Sequence, residues 1–137
     1  MSSLHLVKLC VGVDRVEQLT EWGRLERGRG MPPIVHTRQT PKRSAEILEG
    51  GSLYWVIKGV ILCRQAIVRI DTIEEGANVR CEIELAPEVV LTAPQPRRAF
   101  QGWRYFEAKD VPPDLTTGEA EGLPPEVARE LRAIGAW

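Results

Sequence analysis

The chain has 137 residues, 43% of them apolar and 27% charged, with a formal net charge of −1. That size and make-up suit one domain with its own core, and no apolar run approaches the roughly 18 residues of a membrane span. A charge this near zero excludes a diffuse polycationic coat for nucleic acid, although it is divided: residues 1–70 carry +5 and residues 71–137 carry −6.

Lys8, Lys42, Lys58 and Lys109 are the only lysines, so arginine supplies most of the positive charge. Arginine favours planar, bidentate and stacked contacts over diffuse attraction. The opening "MSSLHLVKLCVGVD" lacks the cationic start and long apolar stretch of a secretory signal, so a cytoplasmic location is expected.

In chain order, "LHLVKLCVGV" alternates imperfectly and is β-rich, which predicts a first strand. Asp14, with Glu17 three residues on, has the spacing of a helix cap. Val16, Leu19, Trp22 and then Leu25 or Arg15 mark one helical face, and "RGRG" closes the helix. "IVHTRQT" predicts a second strand, with His36, Arg38 and Thr40 on one side. Thr40-Pro41 has the form of a helix start. "PKRSAEILEGG" is then a short helix with Ala45 and Leu48 inward.

The run "GGSLYWVIKGVILCRQAIVRI", residues 50–70, is two β-branched strands joined at Lys58-Gly59. Strand alternation puts Trp55 and Ile57 on one face and Tyr54, Val56 and Lys58 on the other. A further strand pair turns around Glu74 to Asn78. In its second arm Val79, Cys81, Ile83 and Leu85 alternate with Arg80, Glu82 and Glu84. "EVVLTAP" continues past Pro87. A Pro-rich loop then leads to a last strand in "FQGWRYF". Residues 116–137 are a linker and a terminal helix, following a single domain over 1–115. The order β-α-β-α and then four or five strands gives α+β, with a mainly antiparallel sheet or small barrel.

Cys10, Cys63 and Cys81 are far apart and without C-x-x-C spacing. Free thiols in small core positions are the simplest reading. No metal site is expected, although these cysteines with His5 or His36 are the residues that would build one. No nucleophile elbow, phosphate loop, dinucleotide fingerprint or metalloprotease motif is present in the sequence. His36 is the one candidate base.

The chemistry-bearing constellation is cationic and aromatic. Arg38, Lys42 and Arg43 flank the second strand and the start of its helix. Tyr54, Trp55, Lys58, Arg64 and Gln65 lie in the hairpin, and Gln101, Trp103, Arg104 and Tyr105 in the last strand. Aromatic rings beside guanidinium groups suit stacking on a base and gripping phosphate. A helix N-terminus at Thr40-Pro41 would also attract an anion, although Lys42 and Arg43 in its first turn oppose the dipole. The alternative is structural: Tyr54 and Trp55 fill the core, and Arg64 or Arg69 pairs with Glu82 or Glu84.

At "LHLVKLCVG", "PKR…GGSLYWVIKG…CRQ" and "RRAFQGWRYF" the chain resembles a bacterial family catalogued as domain of unknown function 1489, over about Leu4 to Leu115. That resemblance implies no catalytic residues. The segment "GGSLYWVIKGVILCRQAIVRI" is also remotely similar to the heart of PUA-like barrels, including the ASCH and EVE groups. The Gly-x-Lys motif usual in ASCH domains is absent here, and "TPKRSAE" is a loose substitute. This second resemblance implies a small, mainly antiparallel β-barrel with flanking helices and a cleft for RNA or a modified base.

The expectation is therefore an α+β, PUA-like barrel that binds RNA, a nucleotide or a modified base between the hairpin and the last strand. Arg38, Lys42, Arg43, Tyr54, Lys58, Arg64, Trp103 and Arg104 are its candidate ligand-binding residues, and no cofactor is implied. Two rival readings are a small nucleotide-directed enzyme using His36, and a protein-interaction module.

Overall fold

The first strand, β1 (Leu4–Leu9), alternates between two cores: Leu4 and Leu6 enter one, Val7 the other. Lys8 therefore stands on the Leu4–Leu6 side. The computed structural model describes residues 4–10, 12–30, 32–98 and 100–115, apart from the side chains of residues 23 and 27. The linker and helix expected over 116–137 lie outside the described residues.

Helix α1 (Val16–Gly28) is capped by Gln18, whose Oε1 accepts from the backbone N–H of Asp14 at 2.6 Å and of Arg15 at 2.9 Å. The expected Asp14–Glu17 box is shifted by one residue. Arg15 holds the cap position, and Gln18, third in the helix, reaches back to it. Val16 and Leu19 are buried and Trp22 packs partly against them, whereas Leu25 is 50% exposed.

Strand β2 (Ile34–Thr37) is shorter than expected, and α2 (Ser44–Ile47) is a single turn. The helix does not begin at Thr40-Pro41. Residues 41–43 turn instead, and Arg43 is the cap position without a side-chain cap bond. Lys42 and Arg43 thus precede the helix rather than opposing its dipole from the first turn, and the anticipated anion site at its start is not formed. The inward residue is Ile47, fully buried, rather than Ala45 or Leu48. Gly51 then donates its N–H to Ile47 O at 2.7 Å. A Cβ on it would lie 2.6 Å from Leu4 O, so this return fits no side chain.

Strands β3 (Ser52–Ile57) and β4 (Val60–Glu75) form the expected hairpin. Lys58 (φ 50°) and Gly59 (φ 79°) both take positive φ, the two-residue turn that matches strand twist. Leu53, Trp55 and Ile57 enter the first core, Tyr54 and Val56 the second. The faces divide as strand alternation requires, and both are buried, which is why the run is apolar almost without interruption. Buried Gln65 explains itself: its Oε1 accepts from Trp55 Nε1 at 2.8 Å and its Nε2 donates to Ala86 O at 3.1 Å.

The first part of β4 pairs with β3 on one side and with β6 (Val90–Pro96) on the other. After a register shift between Ile67 and Arg69, its second part pairs with β5 (Asn78–Leu85). The extra residue, Val68, is 55% exposed, and such a bulge bends its strand. Strand β6 takes in most of the continuation expected in "EVVLTAP" and runs on through Gln95 and Pro96, where the Pro-rich loop is expected to have begun. The only strand it pairs with among the described residues is β4, its other edge meeting the chain at an isolated bridge between Thr92 and Asp114, and a strand so near the edge tolerates Pro94 and Pro96. The last strand is β7 (Trp103–Glu107), antiparallel to β1.

The fold is α+β: one mixed sheet in the order β2-β5-β4-β3-β1-β7, with β6 beside β4 and β1 parallel to β3. The expected barrel is not closed. No ladder joins its two ends, β2 and β7, because β2 stops after Thr37 and the chain turns away. Side chains bridge the gap instead: Trp103 Nε1 donates to Gln39 O at 2.8 Å, and Arg43 N–H donates to Tyr105 Oη at 3.3 Å.

Candidate functional site

The open seam between β2 and β7 holds a cleft of about 740 Å³. Four segments line it: the end of β1 at Lys8, the exit of β2 from His36 to Gln39, the start of β5 at residues 78–80, and the turn into β7 from Gln101 to Arg104. Lys8, Arg38, Arg80 and Arg104 bring four cations to it, and no Asp or Glu is among the lining residues. A concave surface lined by one sign of charge focuses potential onto a ligand of the opposite sign.

The cations differ in how they are held. Arg80 is shared with Glu75 at 3.2 Å and Glu82 at 4.0 Å. Arg104 follows Trp103 and so faces the opposite side of the sheet, where its guanidinium covers Phe100 at 5.2 Å and donates to Gln101 O and Trp103 O. It contributes at the rim. Arg38 and Lys8 make no side-chain hydrogen bond or ion pair among the described residues, so both are available to an anion.

Trp103 is fixed by its bond to Gln39 and by the edge of Tyr105, with ring centroids 4.9 Å apart. Strand register aligns it with more than Tyr105. Trp103 is the Cα partner of Lys8, Lys8 of Trp55, and Trp55 of Cys63. Cross-strand partners share a face, so Lys8 sits between two tryptophans on the core side of the sheet.

A second, smaller cavity of about 280 Å³ adjoins the cleft. Trp22 and Leu19 of α1, Ile34 and Val35 of β2 and Trp55 of β3 supply its apolar walls, and it shares Lys8 and His36 with the cleft. Cys10 also lines it, but burial pushes that thiol up to about 12, so it is protonated and a poor nucleophile near neutrality. Burial holds Cys63 at about 12 as well. Among the described residues, no three His, Cys, Asp or Glu side chains gather as a metal ion would need.

His36 has an acidic neighbour. Its Nε2 lies 3.1 Å from Glu82 Oε1, and the two are Cα partners across β2 and β5. They stand on the face opposite Thr37, Cys81 and Ile83, turned outward from the core, and Glu82 is not among the residues lining the cleft.

The structure divides the eight expected ligand-binding positions. Arg38, Trp103 and Arg104 come together at the cleft. Lys42 and Arg43 lie on the turn before α2, where Arg43 pairs with Glu46 at 2.7 Å and stacks 5.6 Å from the Tyr105 ring. Tyr54 is 3% exposed, edge-on to His5 and Phe106 in the second core. Lys58 is in the hairpin turn. Arg64 is bound to Asp114 and Ser52, and of the two arginines expected to pair with Glu82 or Glu84 it is Arg69 that does so, 3.2 Å from Glu84 and 3.7 Å from Glu82. The hairpin therefore does not wall the cleft, because β1 and β4 flank β3 and bury it. Of the four cations, sequence reasoning left out Arg80, read only as an outward residue of its strand, and Lys8. Its signal was present: Leu4, Leu6 and Lys8 recur with period two, which puts a lysine on a core face.

Fold and cleft together define a small α+β protein with a cationic seam in an open mixed sheet. The chain belongs to the family described as protein of unknown function (DUF1489), whose model matches residues 6–137. Comparison with curated proteins gives no match, and comparison with solved structures gives none either. No helix among the described residues is long and apolar enough to cross a membrane.

Proposed function

We propose that this protein is a binding module for RNA or a nucleotide, with the ligand's phosphate held in the cleft between β2 and β7. The observation that carries this reading is the lining itself: four cationic residues, no carboxylate, and an indole pinned beside them. Lys8 and Arg38 meet phosphate, Trp103 offers a ring to a base, and Arg104 supports the turn that presents Trp103. A PUA-like relationship and a cytoplasmic setting belong to the same proposal. What supports the former is a long β4 that pairs first with β3 and, past the shift at Val68, with β5, with helices at the sheet's side.

The experiment is a titration of purified protein with single-stranded RNA and nucleoside monophosphates at two salt concentrations. Affinity is expected to fall with salt, because each neutralised phosphate releases counterions. Arg38→Ala is expected to weaken binding and flatten that salt dependence while leaving the melting temperature nearly unchanged. Trp103→Ala is expected to cost about 1–3 kcal/mol of binding. Wild-type protein that binds nothing on this panel at low salt would overturn the proposal and bring the interaction-module reading forward.

A second reading has one observation in its favour. The His36–Glu82 contact of 3.1 Å is an oriented imidazole beside the cleft, as a general base requires. Turnover of a nucleotide substrate that His36→Gln abolishes would establish it. The outward position of the pair ranks it below simple binding.

A further inference from the structure

Lys8 is the basic residue that joins the two cavities. It occupies a core-facing position on β1, between Trp103 and Trp55 in the register, and has no acidic partner among the described residues. It is half-buried, and a lysine so placed packs its apolar stem while keeping its charged head toward open space. It also lines both the cationic cleft and the apolar cavity.

Resting on the nucleotide reading above, we propose that the site takes its ligand as a single nucleotide unit. The phosphate lies in the larger cleft and the base of a single nucleotide passes Lys8 into the smaller cavity beside Trp22 and Trp55, so that Trp103 is left to stack on a neighbouring base only when the ligand is single-stranded RNA. The two cavities differ in chemistry as the two halves of a nucleotide do. The larger one carries Arg38, Arg80 and Arg104. The smaller one is walled by aliphatic side chains and two indoles, which suit a flat heteroaromatic ring better than a flexible chain. At about 280 Å³ the smaller cavity is slight for a whole ligand but adequate for one end of a ligand whose other end lies in about 740 Å³.

The test uses the full chain and four probes: UMP, GMP, ribose phosphate and octanoate, followed by calorimetry and tryptophan fluorescence. Either nucleotide is expected to bind at least roughly 10-fold tighter than ribose phosphate, the range that stacking one base provides. Trp22→Leu is expected to remove that advantage and leave the affinity for ribose phosphate unchanged. Lys8→Met is expected to weaken nucleotide and ribose phosphate alike. Val13→Phe, which fills the smaller cavity without removing a ring, is expected to act as Trp22→Leu does and stands in for it should that variant melt early.

Ribose phosphate binding as tightly as both nucleotides overturns the base cavity and leaves the phosphate cleft standing. Octanoate binding tighter than either nucleotide overturns it in favour of an acyl ligand. If neither these probes nor single-stranded RNA binds, the cleft reading fails with it.

Discussion

Arg64 and Asp114 meet through two parallel charge-assisted hydrogen bonds, Nε to Oδ1 at 2.7 Å and Nη2 to Oδ2 at 2.6 Å. The third arm of the guanidinium, Nη1, donates to Ser52 Oγ at 2.9 Å. This one side chain ties β3 and β4 to the segment after β7. There Ala93 N–H donates to Pro113 O at 2.8 Å and Leu115 N–H donates to Leu91 O at 2.9 Å.

The Arg64 bonds hold the Asp114 carboxyl below its ordinary range. A carboxyl that titrates lower in the folded chain stabilises it above the unfolded pKa. That contribution is lost as pH falls through the folded value. The Asp114 side chain is 42% exposed, so solvent screens the pair, and Asp114→Asn is expected to cost no more than about 1 kcal/mol at neutral pH. Urea unfolding of both proteins at neutral pH and in acid checks this: the difference is expected to shrink in acid.

His5 titrates in the opposite sense to a paired histidine. Burial, and then the charge of Arg64, lower its pKa from 6.5, and its Nδ1 accepts the Ser52 N–H at 3.0 Å. The native state needs the neutral ring. Stability from this group is therefore full above the unfolded pKa and declines as pH falls from there toward the folded one. The melting temperature of the wild type is expected to drop between about pH 7 and pH 5. In His5→Asn, which keeps an acceptor without a titration there, that part of the drop is expected to vanish.

Trp55 and Gln65 satisfy one another inside the core, with Gln65 fully buried. Trp55→Phe keeps a ring but removes the N–H, leaving the Gln65 oxygen without its donor. The expected loss is about 1–3 kcal/mol for the orphaned group, together with the volume removed. Trp55→Phe combined with Gln65→Leu is expected to recover part of it. Guanidinium unfolding midpoints of the two proteins decide the matter.

Gly51 has backbone oxygens where a side chain would go, from Ile47 and from Leu4 at 2.6 Å. Gly51→Ala must push α2 away from β1. Overpacking of this kind costs about 1–3 kcal/mol, and thermal melting of the variant reads it directly. An unchanged melting temperature would mean that the approach of α2 to β1 is looser than described.

Legibility in the sequence followed the physics of each element. The hairpin was plain because β-branched runs and Lys58-Gly59 agree, and its faces followed from period two. The shift at Val68 was not, because a bulge has no composition of its own and shows only once β4 changes partner. The end of β6 was hidden by Pro94 and Pro96, which local rules assign to a loop, and its pairing with β4 has no local signal. Helix α2 was misplaced because Thr40-Pro41 satisfies the rule for a helix start, while the tertiary bonds at Gln39 and Arg43 hold that stretch as a turn. Arg38, Trp103 and Arg104 were found by residue type. Lys8 was passed over because a single lysine in a strand has no local signal beyond its alternation with Leu4 and Leu6.

The antiparallel pairing of β1 with β7 joins the first strand of the sheet to the last, Leu4 opposite Glu107. Such closure carries the largest loop entropy in the chain and belongs to slowly folding, non-local topologies. On the ribosome, β1 emerges long before the strand that covers its open edge. The seam that holds Lys8, Arg38 and Trp103 therefore forms only after β2 to β6 have all been made.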